Sequence, residues 1–119
     1  MATRCYIFKE NKDKSLIGIY CHYDGYPSHM LPILRDHYKT EEKIDKLLAI
    51  GDINHLHEAV EKCERIANTT KQVEFRGKDY LQVHLDANHS IEYAYIWGED
   101  EKHNRLWTYT SPHLHSYNT

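Results

Sequence analysis

Long apolar runs and blocks of basic residues are both missing from this 119-residue chain. A membrane-spanning helix needs about 20 consecutive apolar residues, and no segment approaches that length. The formal net charge is −3, and no lysine–arginine cluster offers a contact surface for a DNA backbone. The first ten residues lack the apolar centre of a signal peptide. The sequence therefore predicts a cytoplasmic protein that neither crosses a membrane nor binds DNA.

Cysteine is scarce and follows no metal-binding pattern. Cys5, Cys21 and Cys63 are odd in number and lack CxxC spacing, which predicts reduced, buried thiols. The HxH pairs at residues 55–57 and 113–115 have no third ligand at a fixed spacing. No glycine-rich phosphate loop or HExxH motif is present. We therefore expect no metal and no cofactor.

Glycine and proline are also few, at 5 and 3 residues, while 40% of the chain is apolar. This composition is typical of a folded domain. We predict one domain over residues 1–119, with 111–119 as a loose tail. The chain has 10 tyrosines and 10 histidines but only 2 phenylalanines. Rings with a polar group suit half-buried surfaces and flat ligands.

The hydrophobic periodicity changes from 2 to 3.6 and back to 2 along the chain. Residues 40–51 are a clear helix with Thr40 as N-cap. The order β-β-α-α-α-β-β-β predicts an α+β fold with a mainly antiparallel sheet and helices on one face. The predicted strands are 4–10, 15–23, 72–77, 80–86, 90–98 and 105–110, and the predicted helices are 28–38, 40–51 and 54–67.

The stretch YCHYDGYP at residues 20–27 gathers polar and aromatic side chains where a strand gives way to a helix. Gly25 is expected to supply a positive φ for the turn. On a strand, His22 and Asp24 share a face, so they either form a His–Asp catalytic pair or pin the turn. Arg4 and Arg105 stand at strand ends beside aromatic stretches, where they would meet the phosphates of a nucleotide.

The motifs MATR, YCHYDGYP, HY at 37–38 and GDI at 51–53 resemble a group of small phage and prophage proteins. Its members carry Tyr-Cys-His-Trp-Asp-Gly-Tyr, and this chain has Tyr23 in place of the tryptophan. The match covers roughly residues 1–55 and, more loosely, the C-terminal hairpin EYAYIW…LWTY. In size, sheet–helices–sheet order and C-terminal aromatic, Asn and Arg residues, the chain is similar to the phage Thoeris anti-defence proteins.

That resemblance implies sequestration, without turnover, of a cyclic ADP-ribose isomer made by a bacterial TIR-domain immune enzyme. It implies ligand sites between subunits, and some family members also bind cyclic oligonucleotides at separate sites. Asn88 and Arg105 would then be pocket residues, and Tyr80 stands where the family has a phenylalanine. With the residues above, the expected ligand-binding set is Arg4, His22, Tyr23, Asp24, Tyr26, Asn88, Tyr95, Arg105 and Trp107.

Two alternatives stay open at this level. One is a phosphodiesterase-like enzyme that degrades such a signal, with His22 as base and Asp24 as its orienting partner. The other is a phage interaction protein without a small ligand. In each case we expect a homo-oligomer, because sheet edges favour self-association and because four aromatic residues exceed what one small core buries: Tyr93, Tyr95, Trp97 and Trp107.

Overall fold

The computed structural model describes residues 3–66, 72–87 and 90–112. Within them, five strands form one sheet in the order β3-β2-β1-β4-β5. None of the described helices is long and apolar enough to cross a bilayer. The elements are β1 (Cys5–Glu10), β2 (Leu16–Cys21), α1 (Pro27–His37), α2 (Glu41–Ala49), a 3₁₀ turn (Val60–Lys62), β3 (Val73–Phe75), α3 (Lys78–Ala87), β4 (Tyr93–Glu99) and β5 (Arg105–Thr110).

The sheet is built from two hairpins joined side by side. Strand β1 pairs antiparallel with β2 and parallel with β4, while β2–β3 and β4–β5 are antiparallel. The predicted α+β class with a mainly antiparallel sheet is therefore confirmed. The Thr40 cap is confirmed as well, since the Thr40 hydroxyl accepts a hydrogen bond from the Lys43 amide.

Helices cover both faces of the sheet, so the prediction of helices on one face is wrong. On one face, α1 and α2 pack on a cluster that includes Ile7, Tyr95 and Trp107. On the other, α3 inserts Leu81 and Leu85 beside strand residues such as Phe8 and Ile96. Alternation along β1 and β4 sends successive side chains to the two clusters, so the central strands are buried from both sides.

Residues 80–86 form part of helix α3 and not the predicted strand. The apolar positions 81, 83 and 85 alternate like a strand, but 81 and 85 also lie one helical turn apart. The structure uses the second pattern, because Leu81 and Leu85 are fully buried while Val83 is 70% exposed. The helical period is used because it lets α3 cover the second face of the sheet with Leu81 and Leu85.

The prediction of a helix over residues 54–67 is also wrong for the described part of that range, which ends at residue 66. Apart from the 3₁₀ turn this segment is irregular, and Ile53 bridges to both Cys21 and Arg65. The Asn54 amide donates to the Glu64 carbonyl, at 2.6 Å. Cys63 is buried as predicted, and Leu56 is buried as well, but both lie on a loop folded against the end of β2.

Three of the four aromatic residues assigned to a subunit interface are buried within one chain. Tyr95, Trp97 and Trp107 are 0%, 7% and 2% exposed. One small core therefore accommodates these rings, and the prediction that it could not is wrong. The oligomer prediction now depends on the sheet edges alone.

Candidate functional site

The segment after β2 is fixed by backbone hydrogen bonds from two sides. The amides of His22 and Tyr23 donate to the carbonyls of Ile53 and Asn54, at 3.0 and 2.8 Å. The Gly25 amide donates to the Thr3 carbonyl at 2.9 Å. Two other chain segments thus hold residues 22–25 in one conformation at the start of α1.

Gly25 is required for space and not for a positive φ, which corrects the sequence-based expectation. The left-handed residue is Asp24, with φ 56°, and aspartate is among the residues that tolerate this region best. A Cβ on Gly25 would lie 2.6 Å from the Thr3 oxygen and 2.9 Å from the Cys5 sulfur. The turn therefore packs directly on the start of β1.

Tyr95 supports this turn from below. It is fully buried, and its hydroxyl donates to the Gly25 carbonyl at 2.6 Å. Burial is the main cause that raises the pKa of Tyr95, so the hydroxyl stays neutral and remains a donor. In this conformation Tyr95, one of the predicted ligand-binding residues, positions the turn and presents no ring face at the surface.

Above the turn, a series of rings reaches the surface. Tyr23 is 40% exposed and stacks on His55, with ring centroids 5.0 Å apart and an interplanar angle of 22°. The His22 ring packs edge-on against Tyr23 at 4.3 Å. The Tyr20 hydroxyl and His22 Nδ1 are 2.6 Å apart and hydrogen-bonded. We call this surface, residues 20–26 with Arg4 and His55, the tyrosine–histidine corner.

Charged groups flank the corner on both sides. Asp24 Oδ2 lies 3.5 Å from His55 Nε2. Burial raises the pKa of the Tyr20 phenol, and the Arg4 guanidinium hydrogen-bonded to it acts in the opposite direction. Arg4 therefore stands beside the rings as predicted from its position at the start of a strand.

The predicted pairing of His22 with Asp24 is wrong. His22 Nδ1 is engaged by Tyr20, and the partner of the Asp24 carboxylate is His55. A His–Asp pair does lie at this surface, but 31 positions separate its members along the chain. From sequence, His55 stood out only as part of an HxH pair, so no local signal placed it beside Tyr23.

Arg105 and Trp107 lie away from the corner. The Arg105 guanidinium is 2.9 Å from a Glu41 carboxylate oxygen and 3.4 Å from the Glu10 carbonyl oxygen, which it reaches as a donor. Trp107 is buried and donates its indole N–H to the Tyr38 carbonyl. Arg4 lies just before the first residue of β1, and Arg105 contacts the last residue of β1. The two arginines are therefore at opposite ends of a six-residue strand, which spans about 20 Å. The structure therefore separates the two arginines that the sequence offered for one ligand.

The remaining predicted positions divide between the corner and the part outside the described residues. Tyr26 is the residue before α1 and is 39% exposed, adding a second exposed ring to the corner. Asn88 and the residues 113–119, including the second HxH pair, lie outside the described residues. Among described residues no group of three or more potential metal ligands occurs.

A cleft of about 460 Å³ opens at the Arg105 end of the sheet. Its cationic residues were not among the predicted ligand-binding residues: Lys14, Arg76 and Lys78. Its floor carries Glu10, 5% exposed, whose carboxylate lies 3.6 Å from the Lys78 ammonium. A carboxylate on the floor disfavours an anionic ligand, so this cleft fits a nucleotide less well than the corner does.

All three cysteines are free and buried, which confirms the prediction of buried thiols. Burial is the largest cause that raises the pKa of Cys5, followed by a hydrogen bond with Cys21. A thiol held in its protonated form is a poor nucleophile. Cys21 is fully buried, with its thiol directed at the Tyr23 and Asn54 carbonyls, so it packs beneath the exposed side chains of the corner.

Comparison of the chain with protein-family models, with curated proteins and with solved structures finds no significant match.

Proposed function

We propose that this protein binds a cyclic nucleotide immune signal at the tyrosine–histidine corner and sequesters it without cleavage. The observation that carries the proposal is the Tyr23 ring, exposed on one side and held by its stack on His55. A pre-positioned ring binds a base with little loss of conformational entropy. Stacking of one base on an aromatic side chain contributes roughly 1–3 kcal/mol.

Three further groups at the corner fit the rest of such a ligand. Arg4 supplies a cation for a phosphate, and a charge-assisted contact of this kind contributes about 1.5–3 kcal/mol. Tyr26 offers a second exposed ring, and Asp24 offers acceptors for ribose hydroxyls. The resemblance to the anti-defence proteins supports a cyclic ADP-ribose isomer or a cyclic oligonucleotide as the ligand, met in the cytoplasm of a bacterial host during phage infection.

Calorimetric titration with cyclic ADP-ribose isomers and with cyclic di- and trinucleotides tests the proposal. We expect one class to bind, and heating the complex to release the ligand intact. Release of a cleaved product would instead support the enzyme alternative, for which the Asp24–His55 pair is the observation in favour. Absence of heat with every probe would reject both and favour a protein-interaction factor.

Tyr23→Ala is expected to weaken binding about tenfold or more, since loss of one stacked ring removes roughly 1.4 kcal/mol or more. Tyr23→Trp, which restores the aromatic residue usual in the phage group, should retain affinity. Tyr80→Ala is the matched control, because Tyr80 is 57% exposed on α3, away from the corner. The measurement is calorimetry, and equal effects of Tyr23→Ala and Tyr80→Ala would contradict the assignment of the site.

We also propose that two copies associate through strand β5, which is an outer strand of the sheet. Within the described residues this edge has little charge to protect it, because Arg105 is the only charged residue of β5 and is engaged by Glu41. Leu106 and Tyr109, 37% and 47% exposed, add apolar area. Antiparallel pairing of β5 with its own copy, centred on Thr108, brings no like charges together.

Thr108→Lys is expected to convert the dimer into a monomer. Thr108 is exposed, so the change leaves the core intact, but it places two ammonium groups opposite each other at the centre of the paired strands. Light scattering after size-exclusion chromatography measures the mass. The control is Glu101→Lys, a charge change in the β4–β5 hairpin loop; a wild-type protein that runs as a 14.2 kDa monomer would refute the proposal.

A further inference from the structure

A groove of about 330 Å³ lies between α1 and the irregular segment that follows α2. Its apolar floor is formed by Ile33 and Leu56, and Leu56 is fully buried. Polar side chains stand around this floor: His29, His57, Glu58 and Lys62. An apolar floor with a few polar groups at its rim is the usual composition of a small-molecule site.

The groove adjoins the tyrosine–histidine corner at two points. The His57 ring lies 6.1 Å from the His55 ring, which in turn stacks on Tyr23. On the other side, the His29 ring lies 6.0 Å from Tyr26. A ligand that stacks on Tyr23 would therefore lie next to residues that line the groove.

His29, one of the residues that line the groove, carries an unsatisfied hydrogen-bonding atom. Its Nε2 is enclosed and has no hydrogen-bond partner among the described residues. A buried polar atom left without a partner costs about 1–3 kcal/mol, so native structures rarely keep one without a reason. A turn of the His29 ring toward the groove would let an oxygen atom of a ligand supply the missing partner.

At the rim, Lys62 is the cation available to an anionic group. Lys62 is exposed and forms no ion pair with another described residue. The imidazole of His57 adds an N–H donor, and Glu58 is the one carboxylate among the lining residues. An ammonium group without an ion-pair partner among the described residues, on the rim of the same groove as His29, matches the oxygen atoms of a phosphate.

We infer that the groove holds the phosphate-bearing part of the nucleotide whose base stacks on Tyr23, with His29 and Lys62 as its contacts. This inference rests on the proposed function and extends it. It makes the ligand a nucleotide with a base at the corner and at least one phosphate in the groove. It also assigns binding roles to two residues outside the YCHYDGYP stretch.

Calorimetry with the cyclic ADP-ribose isomer that binds best to the wild type tests the inference. Lys62→Ala should weaken binding about five- to tenfold, and Glu58→Gln should strengthen it about twofold, because one change removes a cation and the other an anion beside the phosphate. Lys12→Ala, in the exposed β1–β2 turn, is the matched control and should leave affinity unchanged.

His29→Phe separates a binding role from a structural role. Phenylalanine keeps the size of the ring and removes the unpaired nitrogen, so the melting temperature should stay level or rise while affinity falls several-fold. If the isomer binds the wild type but Lys62→Ala behaves like Lys12→Ala, the inference is overturned and the proposed function stands. If no isomer binds the wild type, the proposed function for this ligand class fails first.

Discussion

Gly18→Ala is expected to lower the free energy of unfolding by about 3 kcal/mol or more. Gly18 lies in β2 directly opposite Phe8 of β1. A Cβ at this position would overlap the Ile7 carbonyl oxygen and would stand 2.6 Å from the Phe8 ring. Overpacking typically costs about 1–3 kcal/mol, and here one of the clashing atoms is backbone in the central strand and cannot rotate away.

Such a loss is a large share of the roughly 5–15 kcal/mol that stabilises a domain. Urea unfolding followed by tryptophan fluorescence measures it, since both Trp97 and Trp107 are buried. The control is Gly77→Ala, because the nearest atom to a Cβ there, the Lys14 oxygen, is at an ordinary contact distance of 3.8 Å. A Gly18→Ala protein as stable as the Gly77→Ala protein would mean that the β1–β2 hairpin is packed differently.

Gly25→Ala is expected to reduce both stability and ligand binding, with a stability loss of about 2–3 kcal/mol. The added methyl group would meet the Thr3 carbonyl oxygen at 2.6 Å and the Cys5 side chain at 2.9 Å. Relief requires the turn to move away from β1. That movement would break the Gly25–Thr3 and Tyr95–Gly25 hydrogen bonds and displace the Tyr23 ring.

Asp24→Gly is the comparison that isolates this effect. Glycine accepts the positive φ of position 24 without strain, while the exposed ion pair with His55 is worth at most about 1 kcal/mol. We therefore expect thermal unfolding of Asp24→Gly close to that of the wild type, and a clear decrease for Gly25→Ala. Equal melting temperatures for Gly25→Ala and the wild type would show that the turn is not fixed against β1.

The elements that the sequence determined by itself are those with strong local signals. The first hairpin follows from alternating apolar residues on each side of a polar turn. Helix α2 follows from a capping threonine, two glutamates in its first turn and an apolar stripe. In both cases the interactions that select the structure join residues a few positions apart, so the pattern is visible without knowledge of the fold.

Tertiary structure decided the elements whose local signals were ambiguous. Leu81 and Leu85 satisfy the strand and the helix period equally well, and the uncovered face of the sheet selects the helix. Residues 54–66 carry a helical pattern, yet Ile53 and Asn54 give their backbone groups to Tyr20, His22 and Tyr23. Distant hydrogen bonds that stabilise the end of β2 outweigh a modest helix propensity.

The same division holds for the candidate site. The sequence predicted a site at the YCHYDGYP stretch because the side chains of that stretch are adjacent in the chain. His55 belongs to the site, Tyr95 supports it from the core, and Arg105 and Trp107 lie elsewhere. These placements follow from the register of β1 with its neighbours and from the path of the loop after α2. Residue types and spacing determine which groups are available within one segment. Which segments meet depends on burying apolar area on both faces of the sheet, a property of the whole chain.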